Sequence, residues 1–329
     1  MTSIRLPLVA ATAILATALA ACGTTEEASD GASESTGATI TLTDSRGKEI
    51  TLDGPATRVA ATEWNAAEYL VSLGVEPVGV ADVKGFETWD SAVELPEDVT
   101  DIGTRGEPSL DTLASLDLDA LIVTDGLTGD AVKQIEKTIP VIVLPGGKAG
   151  EQIDQMFANV ELVAKATGTE DKAQELRDDF DAKLAETKEA VADSDLAGTT
   201  VALADAYENG GSVTVRPYTP TSQLGTIVGE LGLKNAWADV QGLEPDAAYG
   251  LAQTDVEGLT KLPDDVRFWY FSNDTETDPF RVTLKDNTVW TSLPFVEGGD
   301  VTRLPDRIWM FGGPASMDQF LDAVQDLAG

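Results

Sequence analysis

Between residues 151 and 192 the chain reads as two consecutive helices, and the second constrains everything around it. It begins at Thr169 with Glu170 and Asp171 in its first turn, where acids complement the helix dipole. It then keeps Ala173, Leu176, Phe180 and Leu184 on one face to about Ala192. At ~1.5 Å per residue this is a rod of roughly 35 Å. The sequence on either side alternates short apolar strands with amphipathic helices. A rod between two such stretches joins two bodies rather than lying inside one, so the expected fold is α/β: two lobes with mainly parallel sheets, joined by one long helix.

The pattern on each side supports that division. Thr39 to Asp53 alternates apolar and polar residues around Ser45-Arg46-Gly47-Lys48 and predicts a β-hairpin. Arg58 to Ala61, Ala66 to Leu73 (closed by Gly74) and Val78 to Val80 read as strand, helix and strand. The unit recurs as helix Leu110–Leu116, strand Ala120–Thr124, helix Thr128–Thr138 and strand Pro140–Leu144, before a helix over Glu151 to Ala166. Beyond the rod come a strand over Thr199 to Ala204 and helices over Ser222 to Leu231 and Asp255 to Leu262. A strand over Val266 to Ser272, the stretch Leu284 to Ser292 and a final helix over Ala315 to Leu327 follow. The expected boundaries are a first lobe at 39–168, the connecting helix at 169–193 and a second lobe at 194–329.

The first thirty-eight residues read differently. Arg5 precedes an uncharged apolar run from Leu6 to Ala20, too short for a membrane span and typical of a secretory signal, which places the signal at 1–21. Leu19-Ala20-Ala21-Cys22-Gly23 resembles the bacterial lipobox, in which the cysteine is acylated. Cys22 is the only cysteine in the chain, so it has no partner for an internal disulfide. Residues 22–38, rich in Gly, Thr, Glu, Ser and Ala, then form a tether with too little apolar surface to fold. The expected location is extracytoplasmic, on the outer face of the cell membrane, held by that lipid anchor.

Composition excludes several functions. The chain has no histidine, which removes imidazole metal ligation, histidine acid–base chemistry and Ser-His-Asp catalysis; with Cys22 reserved for the anchor, thiolate chemistry goes as well. With 57 Asp and Glu against 22 Lys and Arg, the formal charge is −35. Nucleic acid is therefore no partner. The acid chiefly provides a solvated surface, and it also favours a neutral or cationic ligand. Carboxylate pairs leave a hydrolase open in principle, although no motif supports one.

One arginine stands apart from this acidity. In DIGTRGEPSLDTL, Arg105 sits between small residues on a predicted strand-to-helix loop, where α/β proteins place binding groups. This stretch, together with RVAATEWNAAEYLVSLGVEPVGVAD (from Arg58) and SLPFVEGGDVTRLPDRIWMFGGPASMDQFLDAV (from Ser292), resembles the helical-backbone iron-siderophore and cobalamin class of periplasmic substrate-binding proteins that feed ABC importers. The resemblance runs from Arg58 to the C-terminus, and the hydroxamate-binding branch is the most similar.

That resemblance implies a set of roles. Arg105, in Gly103-Thr104-Arg105-Gly106-Glu107-Pro108, would reach the ferric hydroxamate oxygens, with Trp89 sixteen residues before it as an aromatic neighbour. Trp309, Phe311 and Gly312 match the family's W-x-[FY]-G segment, and Tyr249 falls where the second lobe contributes another ring. The resemblance also implies a ligand cleft between the two lobes, and Trp64 and Arg216 lie near loops able to join it. Asp111 and Glu257, at predicted helix starts, match the acids that dock on permease arginines. The tyrosine that the family carries after Leu121-Ile122-Val123 is absent, and Asp125-Gly126-Leu127 stands there.

The implied protein is a monomer and not an enzyme; it needs no cofactor and no protein-held metal, because the iron arrives chelated. Its partners are the ferric siderophore, the permease and the membrane. Cobalamin, haem (with tyrosine as the only available axial residue) and catecholate or citrate chelates are the alternative ligands, and a surface scaffold the alternative role. Each residue also has a plainer reading: Arg105 as the partner of a surface acid, Trp309 as core, Asp111 and Glu257 as acids favoured at helix starts.

Overall fold

Val59–Ala61, Ala120–Thr124 and Val141–Leu144 are apolar on both faces and buried along their whole length. Strands of that kind need cover on both sides, which a parallel sheet between helix layers supplies. In the computed structural model, which describes residues 39–127 and 129–329, they join Gly79–Val80 and Thr100–Asp101 in a five-stranded, wholly parallel sheet. The spatial order is Thr100–Asp101, Gly79–Val80, Val59–Ala61, Ala120–Thr124, Val141–Leu144. The chain winds outward from Val59–Ala61 to one edge, then returns to Ala120–Thr124 and winds to the other. The carboxyl ends of these two central strands flank the switch point, where open α/β sheets form their crevice.

The second sheet is mixed. Its order is Ser212–Pro217, Thr200–Asn209, Arg267–Tyr270, Val301–Arg303, with Lys234–Asn235 paired to the start of Thr200–Asn209. Only the Ser212–Pro217 arm is antiparallel; it sets Arg216 opposite Asp205. This hairpin is absent from the expected pattern, although Asn209-Gly210-Gly211 is turn chemistry that permits it.

The expected rod is present as helix Glu170–Ala192, packed on helix Gln152–Thr167 and on the last helix, Pro314–Ala328. The expected N-terminal hairpin forms from Ile40–Thr43 and Glu49–Leu52, with Thr43 opposite Glu49. Two helices are shorter than their patterns predict. The one over Asp255 to Leu262 is a single 3₁₀ turn, Glu257–Lys261, because Thr254 is held extended by reciprocal bonds to Val215 and Pro263 follows closely. The helix over Thr128 to Thr138 closes at Ile135, ahead of Pro140.

The apolar interior falls into three parts. One lies on the outer face of the first sheet, around Ile102, Leu121 and Val143, and one on the outer face of the second, around Phe268, Phe280 and Trp290. The third, larger part is shared: Ile122, Phe157, Phe180, Leu203, Trp269 and Phe320 belong to one continuous cluster beneath both sheets. Among the described residues no helix is long and apolar enough to cross a membrane. The expected signal, Cys22 and the tether lie outside the described residues.

Candidate functional site

The crevice at the switch point is built from the residues that leave the two central strands. Glu63, Trp64 and Asn65 follow Val59–Ala61 and open helix Trp64–Ser72, while Thr124 ends Ala120–Thr124. A cavity of about 290 Å³ is lined there by Glu63, Asn65, Arg105 and Thr124 from the first sheet's loops. Arg216, Tyr249, Leu251, Trp309 and Phe311 complete it from the second half and the C-terminal segment. An adjoining hollow of about 610 Å³ shares Arg216 and Leu251 with it, so the cleft extends beyond the cavity itself. A separate hollow of about 600 Å³ lies at the opposite, amino-terminal ends of the first sheet's strands, beside Arg58, Val78 and Thr100. It carries no aromatic residue and lies away from the switch point.

Arg105 is presented by a tight turn. Gly103–Thr104 pairs antiparallel with Glu107–Pro108, leaving Arg105 and Gly106 at the tip. Gly106 takes a φ of 79°, which a residue with a Cβ adopts only under strain. The Arg105 guanidinium carbon stands 4.1 Å from the Trp64 ring centroid and 5.4 Å from that of Trp309. The two indoles meet edge to face at 4.7 Å and 64°, forming a corner that receives the cation. Trp64 is itself buried and fixed by its indole N–H, which donates to the Ala81 carbonyl at 3.2 Å. It holds Arg105 from behind, and it is Trp309 that reaches the cavity.

Arg216 faces the site from the other half. Its Nε donates to Asp205 Oδ1 at 2.8 Å and its Nη2 to Oδ2, a fork held between paired positions of the hairpin. The guanidinium lies 5.2 Å from the Phe311 centroid. Burial works against its charge, but the neighbouring Tyr218 hydroxyl and the Asp205 carboxylate outweigh burial and lift its pKa above the ordinary value.

The aromatic floor is continuous between the arginines. Trp309 meets Phe311 at 5.2 Å and Phe311 meets Tyr249 at 5.7 Å, both edge to face. Tyr249 leans over the Gly146-Gly147 backbone, so closely that a Cβ on Gly146 would stand 2.7 Å from its hydroxyl. Its loop is shaped by Asp246, whose carboxylate accepts the backbone N–H groups of Ala248, Tyr249 and Leu251. Burial, and then the charges of Glu63, Asp125 and Asp246, raise the Tyr249 pKa, so its hydroxyl stays protonated at neutral pH.

Arg105, Arg216, Tyr249, Trp309 and Phe311 thus come together, with Trp64 behind them. Trp89 does not line the cavity: it ends helix Val83–Trp89, half-buried against the shared core. Asp111 and Glu257 stand exposed in the first turns of Leu110–Ser115 and Glu257–Lys261, away from the cavity. Glu63, Asn65, Thr124 and Leu251 enter the site without any signal in the sequence. The plainer reading of Arg105 is also partly met, since its Nε lies 3.3 Å from Glu63 Oε2. Among the described residues no group of acids, histidines or cysteines is arranged to hold a metal ion. The site offers guanidinium donors, ring faces and amide or hydroxyl groups, a set suited to gripping an oxygen-rich molecule with apolar flanks.

A family model described as "Periplasmic binding protein" matches residues 59–308. The Fe(3+)-citrate-binding protein YfmC of Bacillus subtilis (strain 168) is 28% identical over 275 residues, covering 81% of this chain and 78% of that protein. The iron(3+)-hydroxamate-binding protein FhuD of Escherichia coli (strain K12) is 23% identical over 273 residues, covering 83% and 87%. The crystal structure of the Fe3+–Desferal-bound siderophore-binding protein FhuD from Vibrio cholerae superposes with a TM-score of 0.69 at 24% identity, covering 82% of this chain and 97% of that one, a likeness of fold.

Proposed function

The chain belongs to the periplasmic binding protein family, and from that premise we propose that it is the substrate-binding component of an ABC importer. It captures a ferric siderophore of the hydroxamate class and delivers it to a permease. The observation that carries this reading is the corner of Trp64 and Trp309 that holds Arg105, facing Arg216 across Phe311 and Tyr249. A ferric trihydroxamate has a compact core whose oxygens accept hydrogen bonds, wrapped in aliphatic linkers. Guanidinium N–H groups meet the first and aromatic faces the second. The iron is cargo already wrapped by its chelator, and the absence of histidine from the chain is no obstacle.

No chemistry is required of the protein. Asn65 and Thr124 add polar groups at the first sheet's side of the cavity, while Trp309, Phe311 and Tyr249 present ring faces from the other. Asp111 and Glu257, exposed on different halves of the molecule, are the proposed contacts for permease arginines. Cys22 is the proposed lipidation site, and segment 22–38 the proposed tether, by which the protein is held on the outer face of the cell membrane.

Titration of tryptophan fluorescence tests the reading, because Trp64 and Trp309 both lie at the site. Saturable quenching by a ferric trihydroxamate, stronger than by ferric citrate, a ferric tricatecholate or cobalamin, is expected. Saturation by ferric citrate alone would keep the transport role and replace the ligand class. No response to any of the four would remove the transport reading.

A further inference from the structure

Glu63 occupies the N-cap position of helix Trp64–Ser72, with the extended backbone usual there (φ −133°, ψ 148°), yet its side chain makes no capping bond. The carboxylate turns instead into the cavity, where it meets Arg105 Nε at 3.3 Å, about a quarter exposed. Arg216, the other cavity cation, is held by the Asp205 fork. Each guanidinium at the site therefore carries its own carboxylate, and the four groups sum to no net charge. Arg105 and Arg216 nevertheless keep N–H groups that these acids do not use, available to ligand oxygens.

This balance treats ligands of different charge differently. A neutral or monocationic ferric complex accepts the spare N–H groups and leaves both ion pairs standing. A polyanionic complex gains little from cations that are already neutralised and meets the Glu63 carboxylate on the cavity wall. We propose that Glu63 is a specificity-determining residue that restricts the site to neutral or cationic ferric complexes by repelling polyanionic ones. The proposal rests on the siderophore-binding reading and adds to it the charge class of the ligand. An ordinary capping role does not account for the side chain, since the helix amides receive nothing from it.

The test compares the full chain with Glu63→Gln and Glu63→Asp. Dissociation constants are measured for a neutral ferric trihydroxamate, for a ferric tricatecholate carrying three negative charges, and for ferric citrate. Removing one charge at a partly buried site should tighten the two anionic complexes about tenfold or more while moving the neutral one less than about threefold. Glu63→Asp, which keeps the charge, should retain the discrimination. Parallel changes for all three ligands in Glu63→Gln would show that Glu63 only positions Arg105 and would overturn the proposal. Wild-type binding of the tricatecholate as tight as that of the trihydroxamate would overturn it too. If the wild type binds none of the three, the siderophore reading itself falls, and this inference with it.

Discussion

At the scale of single residues, the site depends on how Arg105 is held. Its guanidinium is within reach of two indole rings, an arrangement worth ~0.5–2 kcal/mol for a partly desolvated cation. Lysine keeps the charge but neither the plane nor the fork. Arg105→Lys is therefore expected to weaken binding of a ferric trihydroxamate by about tenfold and Arg105→Ala by more, measured by fluorescence titration. Gly146→Ala provides a separate check on Tyr249. The new methyl would stand 2.7 Å from the tyrosine hydroxyl and 2.9 Å from Asp125 Oδ1, so Tyr249 must shift and affinity should fall; unchanged affinity in a folded variant would mean Tyr249 is not part of the grip. Arg105, Trp309 and Phe311 were legible in the sequence because short, ordered motifs carry them. Glu63 was not, because it is one of 57 acids and only the parallel pairing of Val59–Ala61, through Gly79–Val80, with Thr100–Asp101 brings it to Arg105.

At the scale of elements, Glu68 holds the C-terminal helix to the site. Fully buried, it accepts from the Gly313 and Ser316 amides and the Ser316 hydroxyl, satisfying the start of Pro314–Ala328. Gly312 and Gly313 allow this approach, since a Cβ on either would press against the Glu68 carboxylate. The W-x-F-G match therefore has a physical basis: the rings line the cavity and the glycines admit the carboxylate that anchors them. Glu68→Ala should cost about 3 kcal/mol and lower the melting temperature by roughly 6–10 °C.

Beside Glu68 lies Asp90, also buried; one of its oxygens accepts from the Ala92 amide and the other has no hydrogen-bond partner. Burial, with the Glu68 charge adding to it, lifts the Asp90 pKa to about 8. A proton on Asp90 removes the repulsion between the two acids. The native state holds this proton where the unfolded chain has lost it, so stability from this pair falls as pH rises from about 4 to about 8. Asp90→Asn should remove that slope and raise the melting temperature at pH 8 more than at pH 5, as read by calorimetry across pH. Continuous apolar strands and the long helix could be read from the sequence because their patterns are local. The true length of Glu257–Lys261 could not, since the bonds between Val215 and Thr254 that limit it join distant residues, whereas the Ser212–Pro217 arm pairs locally across Asn209-Gly210-Gly211 and its signal is that turn alone.

At the scale of the whole molecule, the two sheets share one apolar core and are joined by more than the long helix. Across the cleft, Gln152 Nε2 donates to the Ala248 carbonyl at 2.6 Å and Asn273 Nδ2 to the Thr88 carbonyl at 2.7 Å. Large hinge closure would break these bonds and open the shared interior. Scattering profiles of the free and ligand-bound protein should therefore nearly coincide, and a marked compaction would mean that the shared core does not hold the two sheets together. Anomalous diffraction from crystals grown with a ferric trihydroxamate locates the iron itself and tests the proposed binding site directly. One iron centre is expected in the cavity between Arg105 and Arg216, above Trp309, Phe311 and Tyr249, with chelator oxygens on the guanidinium groups. Iron in the hollow beside Arg58 and Thr100, or on the acidic surface, would contradict it.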